Sequence, residues 1–187
     1  MADLFYPMRV AGLERKLPIC RVTDDLYIGA FVIFGDVELT QCCARELLKI
    51  APEHDIIITA ESKGIPLAYE MARQEGVNEY LIARKAPKLY MKNVFTTTVN
   101  SITTENQQVL CIDQKDADFM NGKRVLIVDD VISTGESLKA IETLVAQTGG
   151  KVVGKMAVLA EGDAQGRSDI LYLENLPLFN ADGTVKE

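Results

Sequence analysis

Arg124-Val125-Leu126-Ile127-Val128-Asp129-Asp130-Val131-Ile132-Ser133-Thr134-Gly135-Glu136-Ser137 is the stretch that decides the fold. It opens as a continuous apolar run, the pattern of a strand buried on both faces of a parallel sheet. Two adjacent carboxylates, Asp129 and Asp130, stand at the end of that strand. A short hydroxyl-and-glycine turn, Ser133 to Ser137, follows at once. Leu138, Ile141, Leu144 and Val145 then recur on one face of a helix.

This order of strand, acidic pair, turn and helix has a chemical logic. A tight turn that opens a helix presents unpaired backbone N–H groups and the positive end of the helix dipole, which suits a phosphate dianion. Gly135 lets the backbone approach closely, and Thr134 and Ser137 add hydroxyl donors. Asp129 and Asp130 can accept hydrogen bonds from sugar hydroxyls just beside that cradle. A phosphate nest next to two diol-binding acids fits a ribose 5-phosphate. The bland alternative is an ordinary strand-to-helix turn whose Asp and Ser side chains cap the helix.

Moving outward, His54-Asp55-Ile56-Ile57-Ile58-Thr59-Ala60 repeats the buried-strand pattern. It delivers Glu61-Ser62-Lys63-Gly64, and Ile65 to Ala72 reads as a helix with Pro66 in its first turn. Such a turn can hold a second anion through its N–H groups, with Lys63 as counter-charge. Glu79 to Ala83 is the next strand. Residues 80–104 contain no Asp or Glu but carry Arg84, Lys85, Lys88 and Lys92. In an acidic chain this is a local cation pool, or else a solvated surface face.

The run Val128-Asp129-Asp130-Val131-Ile132-Ser133-Thr134-Gly135 with Ser137 resembles the phosphoribosyl-pyrophosphate (PRPP) motif of type I phosphoribosyltransferases. Arg84-Lys85-Ala86-Pro87-Lys88-Leu89 is similar to the Arg-Lys-x-x-Lys-Leu segment of the adenine enzymes. The resemblance covers about residues 54–179. It implies transfer of 5-phosphoribosyl from PRPP to a purine base, adenine favoured, with release of pyrophosphate. It further implies Mg2+ bound largely through PRPP rather than directly by the protein. Asp129 and Asp130 would hold the ribose. Ser133, Thr134, Gly135, Glu136 and Ser137 would hold the 5-phosphate. Ser62, Lys63, Gly64, Arg84, Lys85 and Lys88 would take the pyrophosphate. Residues 19–34 become a candidate hood over the base, and residues 86–108 a candidate lid. The adenine enzymes carry a glutamate before an aromatic and a glycine in that lid. Here Thr104 falls in its place and Glu105 one step along, so Glu105 is the candidate catalytic acid. The alternatives are a same-fold transferase using xanthine, guanine or orotate, a non-catalytic PRPP-sensing regulator, and a structural protein with vestigial loops.

Composition sets the outer bounds. The chain has 187 residues, 48% of them hydrophobic and 25% charged, enough for one domain with a sizeable core. Its net charge of −7 argues against nonspecific partnership with nucleic acid or an anionic membrane. Cys20, Cys42, Cys43 and Cys111 form no CxxC pair, and His54 is the one imidazole, so neither a zinc site nor a disulfide framework is indicated. Reduced thiols, no signal peptide and no membrane-spanning run are expected of a cytoplasmic protein. The family resemblance adds a homodimer.

The remaining elements follow from pattern. Residues 1–18, with Pro7 and Pro18, read as an arm packed on the core. Ile19–Arg21 and Tyr27–Phe34 read as short strands around a turn. Asp36 is placed to cap a helix carrying Val37, Cys43, Ala44, Leu47 and Leu48. Residues 109–113, 152–160 and 170–173 are further strands, residues 163–167 a loop, and residues 180–187 a loose tail. The expectation is a single α/β domain, a mainly parallel sheet with helices on both faces.

Overall fold

The computed structural model describes residues 4–99 and 108–186. Its centre is a five-stranded sheet in which every neighbouring pair is parallel, in the order β10-β9-β8-β4-β5. The strands are β4 (Ile56–Ala60), β5 (Leu81–Ala83), β8 (Arg124–Ile132), β9 (Lys151–Glu161) and β10 (Leu171–Leu176). In β8, alternate residues face opposite ways, as the two-residue period of a strand requires. Val125 and Ile127 join one apolar cluster, Leu126 and Val128 the other. Helices α3 (Gln114–Met120) and α4 (Glu136–Gln147) cover the first face. Helices α1 (Val37–Leu48) and α2 (Ile65–Glu75) cover the second. Burying each such aliphatic side chain contributes about 1.5–3 kcal/mol, so both faces anchor β8 firmly.

The order of strands sets the position of the site. From β4 the chain moves outward to β5, then returns to place β8 on the other side of β4, and continues outward through β9 and β10. The reversal falls between β4 and β8. Open α/β sheets gather ligands at such a switch point, beyond the C-terminal ends of the strands. The turns after β4 and β8 are the two singled out above.

A second sheet is antiparallel, in the order β1-β2-β3-β11, from β1 (Phe5–Val10), β2 (Leu13–Arg21), β3 (Tyr27–Gly29) and β11 (Leu178–Phe179). The segment expected as a packed arm is thus a hairpin of this sheet, turning at Ala11 (φ 50°) and Gly12 (φ 82°). Within the candidate hood, residues 19–21 end β2 and residues 27–29 form β3. Met8, Val10 and Leu17 pack into the cluster that covers α1 and α2. In the lid candidate, β6 (Phe95–Val99) pairs with β7 (Gln108–Ile112). The tail expected to be loose folds back instead. Asn180 N–H donates to Thr184 O at 2.9 Å and Lys186 N–H to Leu178 O at 2.8 Å. Among the described residues, no helix is long and apolar enough to cross a membrane.

Candidate active site

Helix α4 begins at Gly135, held at φ 78° and ψ 8°, and no side chain caps its N-terminus. The capping alternative is therefore not what this turn does. The first N–H groups of α4 are left for a partner, at the positive end of the dipole. Ser133, Thr134, Gly135, Glu136 and Ser137 line a small cavity of about 60 Å3 with Asp129.

Helix α2 is built the same way. Its N-cap is Gly64, again without a side-chain cap, and Pro66 stands in its first turn. A Cβ on Gly64 would overlap Thr59 Oγ1 and lie 3.1 Å from Asp129 Oδ1. Glycine is therefore demanded here by a close approach. The peptide between Glu61 and Ser62 is cis. Ser62, Lys63 and Lys85 share a second cavity of about 230 Å3 with Glu61, Asp129, Asp130 and Ser137. Asp129 and Ser137 line both cavities, which joins them into one crevice over the switch point.

The two acids are not equivalent. Asp130 is only 5% exposed, and its Oδ2 has no hydrogen-bond partner. Lys63 Nζ stands 3.7 Å from that oxygen, an ion pair too long for a hydrogen bond. Asp129 Oδ1 accepts the Asp130 N–H at 2.9 Å. Burial, and then the neighbouring charge of Asp130, push the Asp129 carboxyl well above the usual carboxylate range, against the opposing pull of Lys63. Among the described residues, the buried side-chain atoms without a hydrogen-bond partner are Asp130 Oδ2, on a residue that lines this crevice, and Arg84 Nε, which faces Glu61. Native proteins leave few such atoms, and one on a crevice-lining acid suits a polar ligand.

The cationic segment divides. Lys85 reaches the larger cavity. Arg84 turns back, with Nε 3.3 Å from Glu61 Oε2. That oxygen also accepts the Lys85 N–H at 2.9 Å, and this bond, followed by the charges of Arg84 and Lys88, holds the Glu61 carboxyl low. Glu61 thereby ties the turn after β4 to the cation pool. Lys88 is half-buried and lines neither cavity. Glu105 lies outside the described residues. Glu161, at the end of β9, carries no motif that singles it out in the sequence. Burial raises its carboxyl, opposed by Lys63, and among the described residues its side chain makes no hydrogen bond.

A phosphoribosyl transferase domain model matches residues 39–180. The chain is 35% identical over 123 residues to the adenine phosphoribosyltransferase of Oenococcus oeni, covering 66% of this chain and 67% of that protein. It is 29% identical to the xanthine phosphoribosyltransferase of Lactobacillus delbrueckii, covering 80% of this chain and 82% of that one. In fold it matches the crystal structure of adenine phosphoribosyltransferase from Thermoanaerobacter pseudethanolicus, with a TM-score of 0.65 at 20% identity, over 92% of this chain and 95% of the other. A parallel sheet with two uncapped, glycine-opened helices at its switch point, and a family match over most of its length, place this chain in the phosphoribosyltransferase family.

Proposed function

We propose that this enzyme transfers 5-phosphoribosyl from PRPP to a purine base, adenine favoured, giving the nucleoside monophosphate and pyrophosphate. The observation that carries this is the unpaired, buried Asp130 Oδ2 beside the raised Asp129 carboxyl, next to the open start of α4. A buried acid and a half-buried one lining a crevice suit the two hydroxyls of a ribose whose 5-phosphate sits on Ser133 to Ser137. Lys63 and Lys85, on the other side, suit the pyrophosphate, and the turn Ser62 to Gly64 supplies backbone donors. Arg84 and Lys88 act from behind, by positioning Glu61 and adding positive charge.

In this scheme a ring nitrogen of the base bonds to C1 of the ribose as the C1–oxygen bond to pyrophosphate breaks. The electron pair of that bond leaves with pyrophosphate, the nitrogen lone pair forms the new bond, and the ribose ring carries positive character in between. The residues contribute placement, charge and exclusion of water. Asp130 opposes that developing positive charge while Asp129 accepts from the ribose hydroxyls, and the lysines oppose the negative charge on the leaving group. Glu105 is the candidate to manage the base proton. Two neighbouring carboxylates are too few to cage a metal, but they fit Mg2+ that keeps its waters and binds mainly through substrate oxygens. Bound so, Mg2+ supplies neutralisation of the pyrophosphate charge. Residues 86–108 would act as the lid and the antiparallel sheet as the hood. A cytoplasmic homodimer belongs to the same proposal; Val32, Phe34 and Val37 expose apolar surface near one another in sequence.

Adenine is favoured by the Arg84–Leu89 segment and by the Oenococcus oeni relative. Xanthine is the second choice, because a xanthine enzyme aligns over 80% of the chain. The test is pyrophosphate release from PRPP and Mg2+ with adenine, xanthine, guanine and orotate in turn. Adenine is expected to give the fastest release, and Asp129→Asn with Asp130→Asn to leave less than about one-thousandth of it. Release with xanthine alone would overturn the base. Uptake of PRPP without release for any base would indicate a sensor and overturn the enzyme reading.

A further inference from the structure

The chain after β9 folds back beside the turn that opens α4. A 3-10 turn, Gly162–Gly166, ends at Arg167, whose N–H donates to Ala164 O at 3.1 Å. Two of the three guanidinium nitrogens are committed. Nε donates to Asp169 Oδ1 at 2.9 Å and Nη2 to Asp169 Oδ2 at 2.8 Å. This fork fixes the plane of the guanidinium. Asp169 is itself fixed: Lys155 Nζ donates to its Oδ2 at 2.6 Å and to Glu142 of α4 at 2.9 Å. Arg167, and then Lys155, hold the Asp169 carboxyl well below the usual range, so it stays a charged anchor at neutral pH.

The third nitrogen, Nη1, makes no hydrogen bond among the described residues. It lies against Gly135, where a Cβ would overlap it. Gly135 is the left-handed residue that opens α4. One end of the guanidinium is therefore bolted to Asp169, and the other brings two free N–H donors to the glycine of the turn. A helix start supplies about half a unit charge, whereas a phosphate monoester carries about −1.5 to −2 at neutral pH. A guanidinium fixed at the same turn adds two directed N–H donors for the anion. The four charged side chains of the network, Arg167, Asp169, Lys155 and Glu142, balance one another when the turn is empty, so the cation is held beside the turn at no net charge.

We propose that Arg167 is a binding residue for the anion on Ser133–Ser137, donating from Nη1 to a phosphate oxygen, and that Asp169 is its positioning residue. This rests on the assignment of that turn as the 5-phosphate seat, and adds to it a residue from a distant segment.

The test is calorimetric binding of ribose 5-phosphate and, separately, of pyrophosphate, to the wild type, Arg167→Gln, Arg167→Lys and Asp169→Asn. Arg167→Gln is expected to weaken ribose 5-phosphate about 10- to 100-fold and to leave pyrophosphate binding unchanged. Arg167→Lys recovers part of the loss. Asp169→Asn, which keeps the cation but frees it, loses about 3- to 10-fold. In turnover, KM for PRPP rises in Arg167→Gln while kcat stays within about threefold. Unchanged ribose 5-phosphate affinity, or an equal loss for both ligands, overturns the inference. Should Arg167→Gln fail to fold, the two milder variants decide by the same contrast. Wild-type protein that binds neither ligand would sink the phosphoribosyl assignment itself, and the role of Arg167 with it. Wild-type binding with an unaffected variant sinks Arg167 alone.

Discussion

Helices α1 and α4 begin in opposite ways. Asp36 caps α1: its Oδ1 accepts the Leu39 N–H at 3.0 Å, and Arg15 holds the carboxylate in place at 2.6 Å. The short helix α3 is capped likewise, with Asp113 Oδ1 accepting the Asp116 N–H at 3.0 Å. At the switch point, α4 and α2 start at glycines with no side-chain cap. The helices that only fill a layer satisfy their own first turn. Those that flank the crevice leave it open, and with glycine at the N-cap give up only about a few tenths of a kcal/mol each of capping stability. An unfilled helix start beside a crevice is thus a functional expense that the rest of the fold offsets.

The strongest way to break this contrast is to give α4 the cap of α1. Gly135→Asp puts a carboxylate where the phosphate would sit, and its Cβ meets Arg167. We expect kcat/KM for PRPP to fall at least about 100-fold, equivalent to about 2.7 kcal/mol, in steady-state kinetics. Retained activity would show that the open helix start is not used.

Next in size is Asp129→Asn. The folded protein holds the Asp129 proton more tightly than the unfolded chain does. Its ionisation therefore costs stability as pH rises from the ordinary carboxylate value through the raised one, and costs nothing below both. The asparagine variant is expected to melt above wild type near neutral pH, with the gap closing as pH falls to the ordinary carboxylate value. Thermal melts across that range check it, and a gap that widens in acid would reverse the assignment.

The smallest effect is expected from Asp36→Ala. Loss of the cap should lower the melting temperature by about 2–4 °C and leave kcat/KM for PRPP unchanged. Here the sign is opposite. The Arg15 hydrogen bond holds the Asp36 carboxyl low, so its contribution is present above the ordinary carboxylate value and fades as pH falls through the lowered one.

The sequence showed some of this plainly and hid the rest for physical reasons. β8, β4 and the two turns were legible because a doubly buried strand is a solid apolar run and the following turn is rich in hydroxyls and glycine. The Asp36 cap was legible from residue type alone. The β1–β2 hairpin was not, because Ala11 occupies a positive-φ position that hairpins usually give to Asn, Asp or Gly. Pro7 also argued against a strand, although it is tolerated on an edge such as β1. Arg167 and Glu161 were hidden because neither belongs to a local pattern. Arg167 meets Gly135 only after α4 has returned the chain and β9 has brought it forward again along the sheet. Glu61 was read as part of a turn, yet its ties to Arg84 and Lys85 join segments that no spacing rule connects.

The fit at Gly64 has a mechanical consequence. The Cβ it lacks would sit 3.1 Å from Asp129 Oδ1 and 3.4 Å from Asp129 Cα. The two loops therefore stand so close that a methyl group cannot be placed on the Gly64 side without displacing Thr59 or Asp129. Any side chain at position 64 would therefore disturb an acid of the turn after β8, so the turn after β4 cannot vary there independently of its neighbour.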